Sequence, residues 1–258
     1  MVRGSAVVYL TPMSDIFQQT LHLALPAVGI AFRDSAPPGV PHALAEPASC
    51  SYWKRAAGGE TFWTDAADHM GCPVGAHTHG VQMSDAKKQE LMGLVGTMVQ
   101  LGYLRMEEVP AIPHRKTPLR VAVYAPLSEM PCPADVVLVR GTAAQLMVLV
   151  EAAQAAGVAP DAPAMGRPTC AALPQALDSR RPAMSLGCIG NRVYTGLSDS
   201  EGYVAIPAQA VDAVVAQLGT LARANAELEK LHRARANPAP AQPPERPAAA
   251  GANGSPKP

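Results

Sequence analysis

The sequence is poor in aromatic residues, carries no net charge and has no long apolar run. Phe, Trp and Tyr make up 4% of the 258 residues, which argues against the aromatic platforms that stack the bases of single-stranded nucleic acid. Lys plus Arg and Asp plus Glu are equal at 21 each, so no net field draws the protein to nucleic acid or an anionic membrane. No segment approaches the roughly 20 apolar residues that span a bilayer. We therefore expect neither nucleic acid nor a membrane as a partner.

Several short motifs of common enzyme classes are also missing. The chain has no Walker loop, no dinucleotide-binding glycine fingerprint, no Gly-x-Ser-x-Gly elbow and no His-Glu-x-x-His. Each of these motifs places a phosphate, a nucleophile or a metal in a defined geometry. Nucleotide hydrolysis, ordinary dehydrogenase chemistry and serine hydrolysis therefore have no support in this sequence.

Cysteine is scarce as well, and its scarcity indicates a compartment. Five cysteines in a chain of this size are too few for a disulfide scaffold. The apolar run within residues 1–10 is too short for a secretory signal. We expect a cytoplasmic protein whose thiols stay free for metal or redox chemistry.

Four of the five cysteines form two similar pairs. Ser49-Cys50 is followed by Gly71-Cys72, and Thr169-Cys170 is followed at a similar separation by Gly187-Cys188. A hydroxyl residue thus precedes the first cysteine of each pair, and a glycine precedes the second. Cys132, between two prolines, has no counterpart, and we interpret it as incidental.

The predicted surroundings of these four cysteines suit thiolates. Cys50 and Cys170 stand at predicted helix starts, where the helix dipole favours a thiolate. Cys72 and Cys188 stand in predicted glycine-flanked turns, whose backbone N–H groups can point at a sulfur or an anion. Four thiolates can ligate an iron–sulfur cluster, with a single zinc ion as the second choice. The spacing alone also allows buried packing cysteines, disulfides or a dithiol switch.

Two arginines and two histidines lie near these cysteines in the sequence. Arg167 and Arg192 flank the second pair and could hold the carboxylate or phosphate of a small anionic ligand. A structural salt bridge or an exposed surface position is the alternative for each. His77 and His79, shortly after Cys72, could add imidazole ligands if that segment is extended, or they could be exposed loop residues.

Hydrophobic patterning predicts a single α/β domain with a mixed sheet flanked by helices. A long helix is predicted from Ser84 to about Leu101, with Leu91, Leu94, Val95, Met98 and Val99 facing inward. We divide the chain into an N-terminal extension, 1–13, an α/β domain, 14–235, and a tail, 236–258. The tail is rich in Pro, Ala and Gly and is predicted to be disordered.

Several separated blocks of sequence resemble a known family. The blocks are Ser49–Lys54, Gly71–Gly75, Tyr124–Leu127 with Pro133–Leu138, and Gly166–Cys170 through Ser185–Arg192. In this order they resemble the domain-of-unknown-function 169 family over about residues 14–232. The resemblance implies that Cys50, Cys72, Cys170 and Cys188 occupy the family's usual cysteine positions, whereas Cys132 and the tail do not. It implies no substrate.

These observations leave three hypotheses of different classes. The first is a protein that binds a metal or iron–sulfur centre through Cys50, Cys72, Cys170 and Cys188, next to an anion-binding pocket. The second is a non-metal binding module whose cysteines serve packing. The third is a thiol enzyme that uses Cys188 as a nucleophile, activated by Arg192 and the turn amides. The sequence gives neither the reaction nor the oligomeric state.

Overall fold

A computed structural model describes residues 14–160 and 168–236 of the chain. Short 3₁₀ turns also occur, among them Thr169–Ala171, which leads into the sixth helix. The α-helices are α1 (Ser14–Leu21), α2 (Ser51–Ala57), α3 (Pro73–Thr78), α4 (Asp85–Gln100), α5 (Ala143–Ala155), α6 (Ala172–Ser179), α7 (Ile189–Thr195) and α8 (Ala208–Ala236). The strands are β1 (Val28–Arg33), β2 (Phe62–Asp65), β3 (Val121–Pro126), β4 (Val136–Thr142), β5 (Ala183–Ser185) and β6 (Glu201–Pro207).

The six strands form one sheet in the order β2-β3-β1-β4-β6-β5. Every pair of neighbouring strands is antiparallel. An isolated bridge between His42 and Trp63 adds a parallel pairing at the edge. The predicted fold class, an α/β protein with a sheet flanked by helices, is confirmed, but the named strands form an antiparallel sheet and not the predicted mixed sheet.

The strands alternate their side chains between two hydrophobic cores, as the two-residue period of a strand requires. On one face, Val136 and Leu138 of β4 pack with Tyr203 of β6, under α2 and α6. On the other face, Val137 and Val139 pack against α1, α5 and α8. The protein is therefore a three-layer structure. Cys50, Cys72 and Cys170 belong to the first core.

Two helices occur where the sequence predicts irregular structure. The glycine-rich run from Gly71 to Gly80 contains α3, and the turn after Cys188 contains α7. Both are short, with six and seven residues, and each has a cysteine as its N-cap. Pro73 at the first position of α3 is a typical helix-starting residue because it has no N–H to leave unbonded.

Helix α4 starts as predicted, with Ser84 as its N-cap accepting the backbone N–H of Lys87. Its predicted inward face is wrong in part, because Val95 is the only buried residue of the helix. Leu94, expected to face inward, is 38% exposed. Among the described elements the helix packs mainly against the short α3, which is too small to cover all of its apolar residues.

The bounds of the predicted domain are not decided by the structure. The extension, 1–13, and residues 237–258 of the tail lie outside the described residues, and α8 continues through Ala236. None of the described helices combines the length and the apolarity that a membrane crossing requires.

Candidate metal centre

The four cysteines singled out by sequence each lie at the start of a helical segment. Cys50 directly precedes α2, and Cys72 and Cys188 are the N-caps of α3 and α7. Cys170 lies in the 3₁₀ turn that leads into α6. Cys50 and Cys170 are buried, and Cys72 and Cys188 are partly exposed. Four positive helix ends are thus associated with four sulfur atoms.

These four thiols interact electrostatically in every pairwise combination. Negative charge on Cys72 or Cys188 raises the pKa of Cys50, and charge on Cys188 raises the pKa of Cys72. Charge on any of these three raises the pKa of Cys170. The structure therefore brings together four side chains that are far apart in the sequence.

Cys132 is not part of this group. It packs with Ala31, Val121 and Val123, and Ala31 alternates along β1 with the residues of the core that contains the other cysteines. Cys132 thus offers a matched control for experiments on the four clustered thiols.

Burial determines the protonation of these thiols in the metal-free protein. Desolvation raises the pKa of Cys50 to about 12. The same cause raises the pKa of Cys72 and places that of Cys170 well above its usual value. These three cysteines are therefore neutral thiols near pH 7, and a metal that binds them as thiolates must displace their protons.

Hydrogen-bond donors nevertheless surround the sulfur atoms. The backbone N–H of Gly75 donates to Cys72 Sγ at 3.3 Å, and that of Asn191 donates to Cys188 Sγ at 3.4 Å. The backbone N–H of Ser49 lowers the pKa of Cys72, and the Thr78 hydroxyl lowers that of Cys170. Such donors stabilise a thiolate once a metal has replaced the proton.

Two glycines allow the backbone to pack closely around the site. A Cβ added at Gly75 would lie 2.3 Å from Ser49 Oγ and 3.3 Å from Cys72 Sγ. Gly187 has a φ of +86°, in the left-handed region, and a Cβ there would lie 2.4 Å from Leu197. A side chain at position 75 would displace Ser49, which precedes Cys50, and one at position 187 would strain the backbone before Cys188.

Asn191 lies near the cysteines, but the repeated hydroxyl-Cys and Gly-Cys pattern does not single it out. Its side chain is buried, at 1% exposure, and among the described residues neither its amide oxygen nor its amide nitrogen has a hydrogen-bond partner. The amide nonetheless lies close enough to the Cys50 thiol to lower its pKa. The same amide lowers the pKa of Tyr203, so it lies between the Cys50 thiol and the Tyr203 hydroxyl, where a buried amide needs hydrogen-bond partners.

A second group that sequence reasoning missed is a buried polar chain behind Cys72. His69 Nδ1 lies 2.9 Å from Ser49 Oγ, and His69 Nε2 lies 2.9 Å from Thr64 Oγ1. Burial holds the pKa of His69 well below its usual value, so its ring is neutral. The hydroxyl residues that precede Cys50 and Cys170 both make hydrogen bonds near the cysteines. Ser49 Oγ contacts His69, and Thr169 Oγ1 accepts the backbone N–H of Cys188 at 2.5 Å.

His77 and His79 do not share one side of an extended segment, because His77 lies in α3 and His79 is the C-cap of that helix. The His77 ring lies next to that of His114 in a tilted arrangement, with 4.8 Å between the ring centroids. His79 is buried next to His69, at 4.9 Å, and its Nε2 has no hydrogen-bond partner in the described part of the chain. Desolvation lowers the pKa of His79 to about 4.

The two arginines expected to bind an anion have different outcomes. Arg167 lies outside the described residues. Arg192 donates to the carbonyl oxygens of Ser198 and Leu186, both at 2.6 Å, and approaches Asp199 at 3.4 Å. These contacts brace the segment around Cys188, and anion binding by Arg192 stays a prediction.

The spacing of the sulfur atoms is wider than a single zinc ion requires. Sulfur atoms at about 2.3 Å from one tetrahedral zinc lie about 3.8 Å from each other. Among the described residues, the metal-ligating side chains that meet within 4.8 Å in a group of three are His42, Asp65 and Asp68, not the cysteines. In that group His42 already contacts Asp68 at 2.7 Å.

Fold and site together define a three-layer α/β protein with four clustered thiols at helix N-termini. The chain belongs to the domain-of-unknown-function 169 family, described as "Uncharacterised ArCR", whose profile matches residues 16–217. The predicted family resemblance is thereby confirmed. No curated protein and no solved structure matches the chain.

Proposed function

We propose that this protein binds an iron–sulfur centre through Cys50, Cys72, Cys170 and Cys188. The observation that carries the proposal is the mutual proximity of four thiols from four separate segments, each coupled electrostatically to the other three. Cysteine thiolates are the usual ligands of iron–sulfur clusters, and four of them complete the common cluster types.

The sulfur spacing favours a cluster over a single ion. Among the described residues, no three of these sulfur atoms lie within 4.8 Å of one another, whereas thiolates on one tetrahedral zinc lie about 3.8 Å apart. A cluster also contains sulfide, which accepts hydrogen bonds, and the unpartnered amide of Asn191 supplies a donor beside Cys50. Hydrogen bonds to cluster sulfurs are one of the means by which a protein sets the reduction potential.

The burial of the site is consistent with a redox-linked role. An iron–sulfur centre supplies one-electron chemistry, and burial and nearby donors tune it. All five cysteines are free thiols, which is the state expected in a reducing cytoplasm, so we assign the protein to that compartment.

The test is anaerobic purification followed by iron, zinc and acid-labile sulfide analysis. We expect iron and sulfide in stoichiometric amounts and a visible absorption band. Replacing Cys50, Cys72, Cys170 or Cys188 individually by Ser should abolish or strongly reduce both, whereas Cys132→Ser should retain them.

A colourless protein without metal and with five titratable thiols would contradict the proposal. It would instead favour cysteines that serve only packing. Zinc without sulfide would contradict the cluster while keeping the four-thiolate site.

A further inference from the structure

A polar pocket lies beside the end of β1 and the start of β3, and no cysteine lines it. It has a volume of about 280 Å³ and is open to solvent. Three arginines, Arg33, Arg115 and Arg120, contribute to its wall, together with Asp34. The remaining lining residues are Phe32, Thr117, Pro118 and Val121.

Two of these arginines already have carboxylate partners. Arg33 contacts Asp135 at 2.8 Å and also donates to the carbonyl oxygen of Pro133. Arg120 approaches Asp34 at 3.5 Å, but both side chains are largely exposed, at 71% and 96%. An exposed pair of this kind contributes little and can open easily to accept a ligand.

Arg115 differs from both, because it has no carboxylate within ion-pair distance among the described residues. Asp135 acts on it only at longer range. Its guanidinium lies over the Phe32 ring, 3.9 Å from the centroid, and it donates to the carbonyl oxygen of His79 at 3.3 Å. Desolvation lowers the pKa of this partly buried arginine. A partly desolvated cation without a carboxylate partner is stabilised when a ligand supplies the opposite charge.

The backbone holds Arg115 in place. Its own N–H donates to Thr78 at 3.0 Å, and the N–H of Leu119 donates to Gly80 at 3.1 Å. Gly80 has a φ of +75°, and a Cβ there would lie 2.9 Å from the Arg115 carbonyl oxygen. The fixed backbone, together with the contacts of the guanidinium with Phe32 and His79, positions the side chain before any ligand binds, which reduces the entropy lost on binding.

We propose that this pocket binds a small oxoanion, the phosphate or carboxylate group of a metabolite. Arg115 is its main contact, and Arg120 is a second. A guanidinium presents paired donors that match both groups. This site is distinct from the cysteine cluster and from the predicted contacts of Arg167 and Arg192. It does not depend on whether the protein holds iron.

The proposal is tested by calorimetric titration of the purified full chain with inorganic phosphate and, separately, with succinate. We expect binding of at least one of them at low ionic strength that weakens as salt is added. Arg115→Gln should weaken binding about 10- to 100-fold, the effect of losing charge-assisted hydrogen bonds. Arg120→Gln should weaken it less, and Arg105→Gln, an exposed arginine paired with Glu108 outside the pocket, should leave it unchanged.

The pair of titrants identifies the group that is recognised. Phosphate binding alone assigns a phosphate-bearing ligand, and succinate binding alone assigns a carboxylate. Absence of binding by both at millimolar concentration would overturn the proposal, as would equal affinity in Arg115→Gln and the unmodified protein. If Arg115→Gln does not fold, unchanged affinity in Arg120→Gln overturns it instead. Iron content, measured on the same samples, reports separately on the cysteine centre.

Discussion

Gly75 is the residue whose size matters most directly to the cysteine site. It lies in α3 against Ser49, the neighbour of Cys50, and close to Cys72 Sγ. Glycine within a helix ordinarily lowers stability relative to alanine. Its presence here therefore has a local reason, which is the space that Ser49 occupies.

Gly75→Ala is predicted to reduce the metal content of the protein and to destabilise it. The added methyl group would lie 2.3 Å from Ser49 Oγ, so Ser49 and Cys50 must shift. We expect a cost of about 1–3 kcal/mol in the free energy of unfolding, typical of overpacking. Urea denaturation and iron analysis measure the two effects. Retained iron together with raised stability would contradict the assigned role of this glycine.

Asn191 is buried and has no hydrogen-bond partner for its side chain among the described residues. It therefore gives opposite predictions for the stability of the protein and for the binding of iron. Asn191→Leu removes a buried amide that has no hydrogen bond to any residue in the described part of the chain. We expect the metal-free variant to be about 1–3 kcal/mol more stable, and to retain less iron after reconstitution. Thermal unfolding of the metal-free protein and iron analysis measure these changes.

Asn225 provides the comparison for this experiment. Its amide donates to Glu151 at 2.6 Å and to the carbonyl oxygen of Leu221 at 3.0 Å, so Asn225→Leu should not stabilise the protein. A loss of stability in Asn191→Leu as well would show that the Asn191 amide has a structural partner, and would remove it from the site.

The lowered pKa of His79 makes the free energy of unfolding depend on pH. Its pKa falls from 6.5 in the unfolded chain to about 4 in the folded protein because of burial. Protonation therefore favours the unfolded chain, and the stabilising contribution is complete above about pH 6.5 and is lost as the pH falls towards 4. Between pH 7 and pH 5 we expect a loss of about 2 kcal/mol from this residue.

Denaturation of His79→Gln at the two pH values isolates that contribution. The variant should show a smaller difference between pH 7 and pH 5 than the unmodified protein. His232→Gln, on an exposed part of α8, should keep the full difference. The account of His79 is wrong if both variants behave alike.

At the scale of elements, most helices and strands follow from the sequence. The apolar run from Val136 to Val139 predicts a central strand, and β4 lies between β1 and β6. Ser84 and Thr142 predict helix starts, and both accept backbone N–H groups as N-caps. These elements are predictable because their signals are local: period, composition and capping.

The two missed helices, α3 and α7, are the ones that carry site cysteines. Each has glycine near its start, at Gly75 and Gly190, and cysteine is an uncommon N-cap compared with Ser, Thr, Asp or Asn. Propensity therefore predicts a turn at both places. Contacts with the neighbouring segments stabilise the helices, and these contacts cannot be inferred from the local sequence.

Helix α4 shows the reverse case, an element predicted correctly whose packing is not. Its glycines, Gly93 and Gly96, have no atoms within 4 Å of an added Cβ. Gly93→Ala is therefore predicted to stabilise the protein by about 0.5–1 kcal/mol through helix propensity alone, without changing iron content. Urea denaturation measures the gain, and a loss would indicate that an unseen surface packs against α4. The same substitution is the matched control for Gly75→Ala.

At the scale of the whole molecule, the sheet separates a purely hydrophobic core from the core that contains the cysteines. The face covered by α1, α5 and α8 is a hydrophobic core. The opposite face contains Cys50, Cys72 and Cys170, and the contact between α2 and α7 relates Cys188 to the same side. The fold thereby assembles residues from both halves of the chain.

The sequence indicates which cysteines matter but not how they are surrounded. The repeated hydroxyl-Cys and Gly-Cys pattern selects the four whose pKa values are electrostatically linked and sets aside Cys132. Nothing in the pattern points to Asn191 or to His69, because an isolated Asn or His has no spacing signal. The role proposed for Arg115 likewise depends on its position over Phe32, which the sequence does not predict. Residues whose role depends on long-range packing become apparent only in the folded protein.

The most direct test of the central claim is X-ray absorption at the iron edge of anaerobically purified protein. We expect iron surrounded by sulfur, with a second shell of iron scattering that a cluster produces and a single ion does not. The same spectrum should persist in Cys132→Ser and vanish in Cys170→Ser. Absence of iron, or a metal with oxygen and nitrogen neighbours, would contradict the four-thiolate centre.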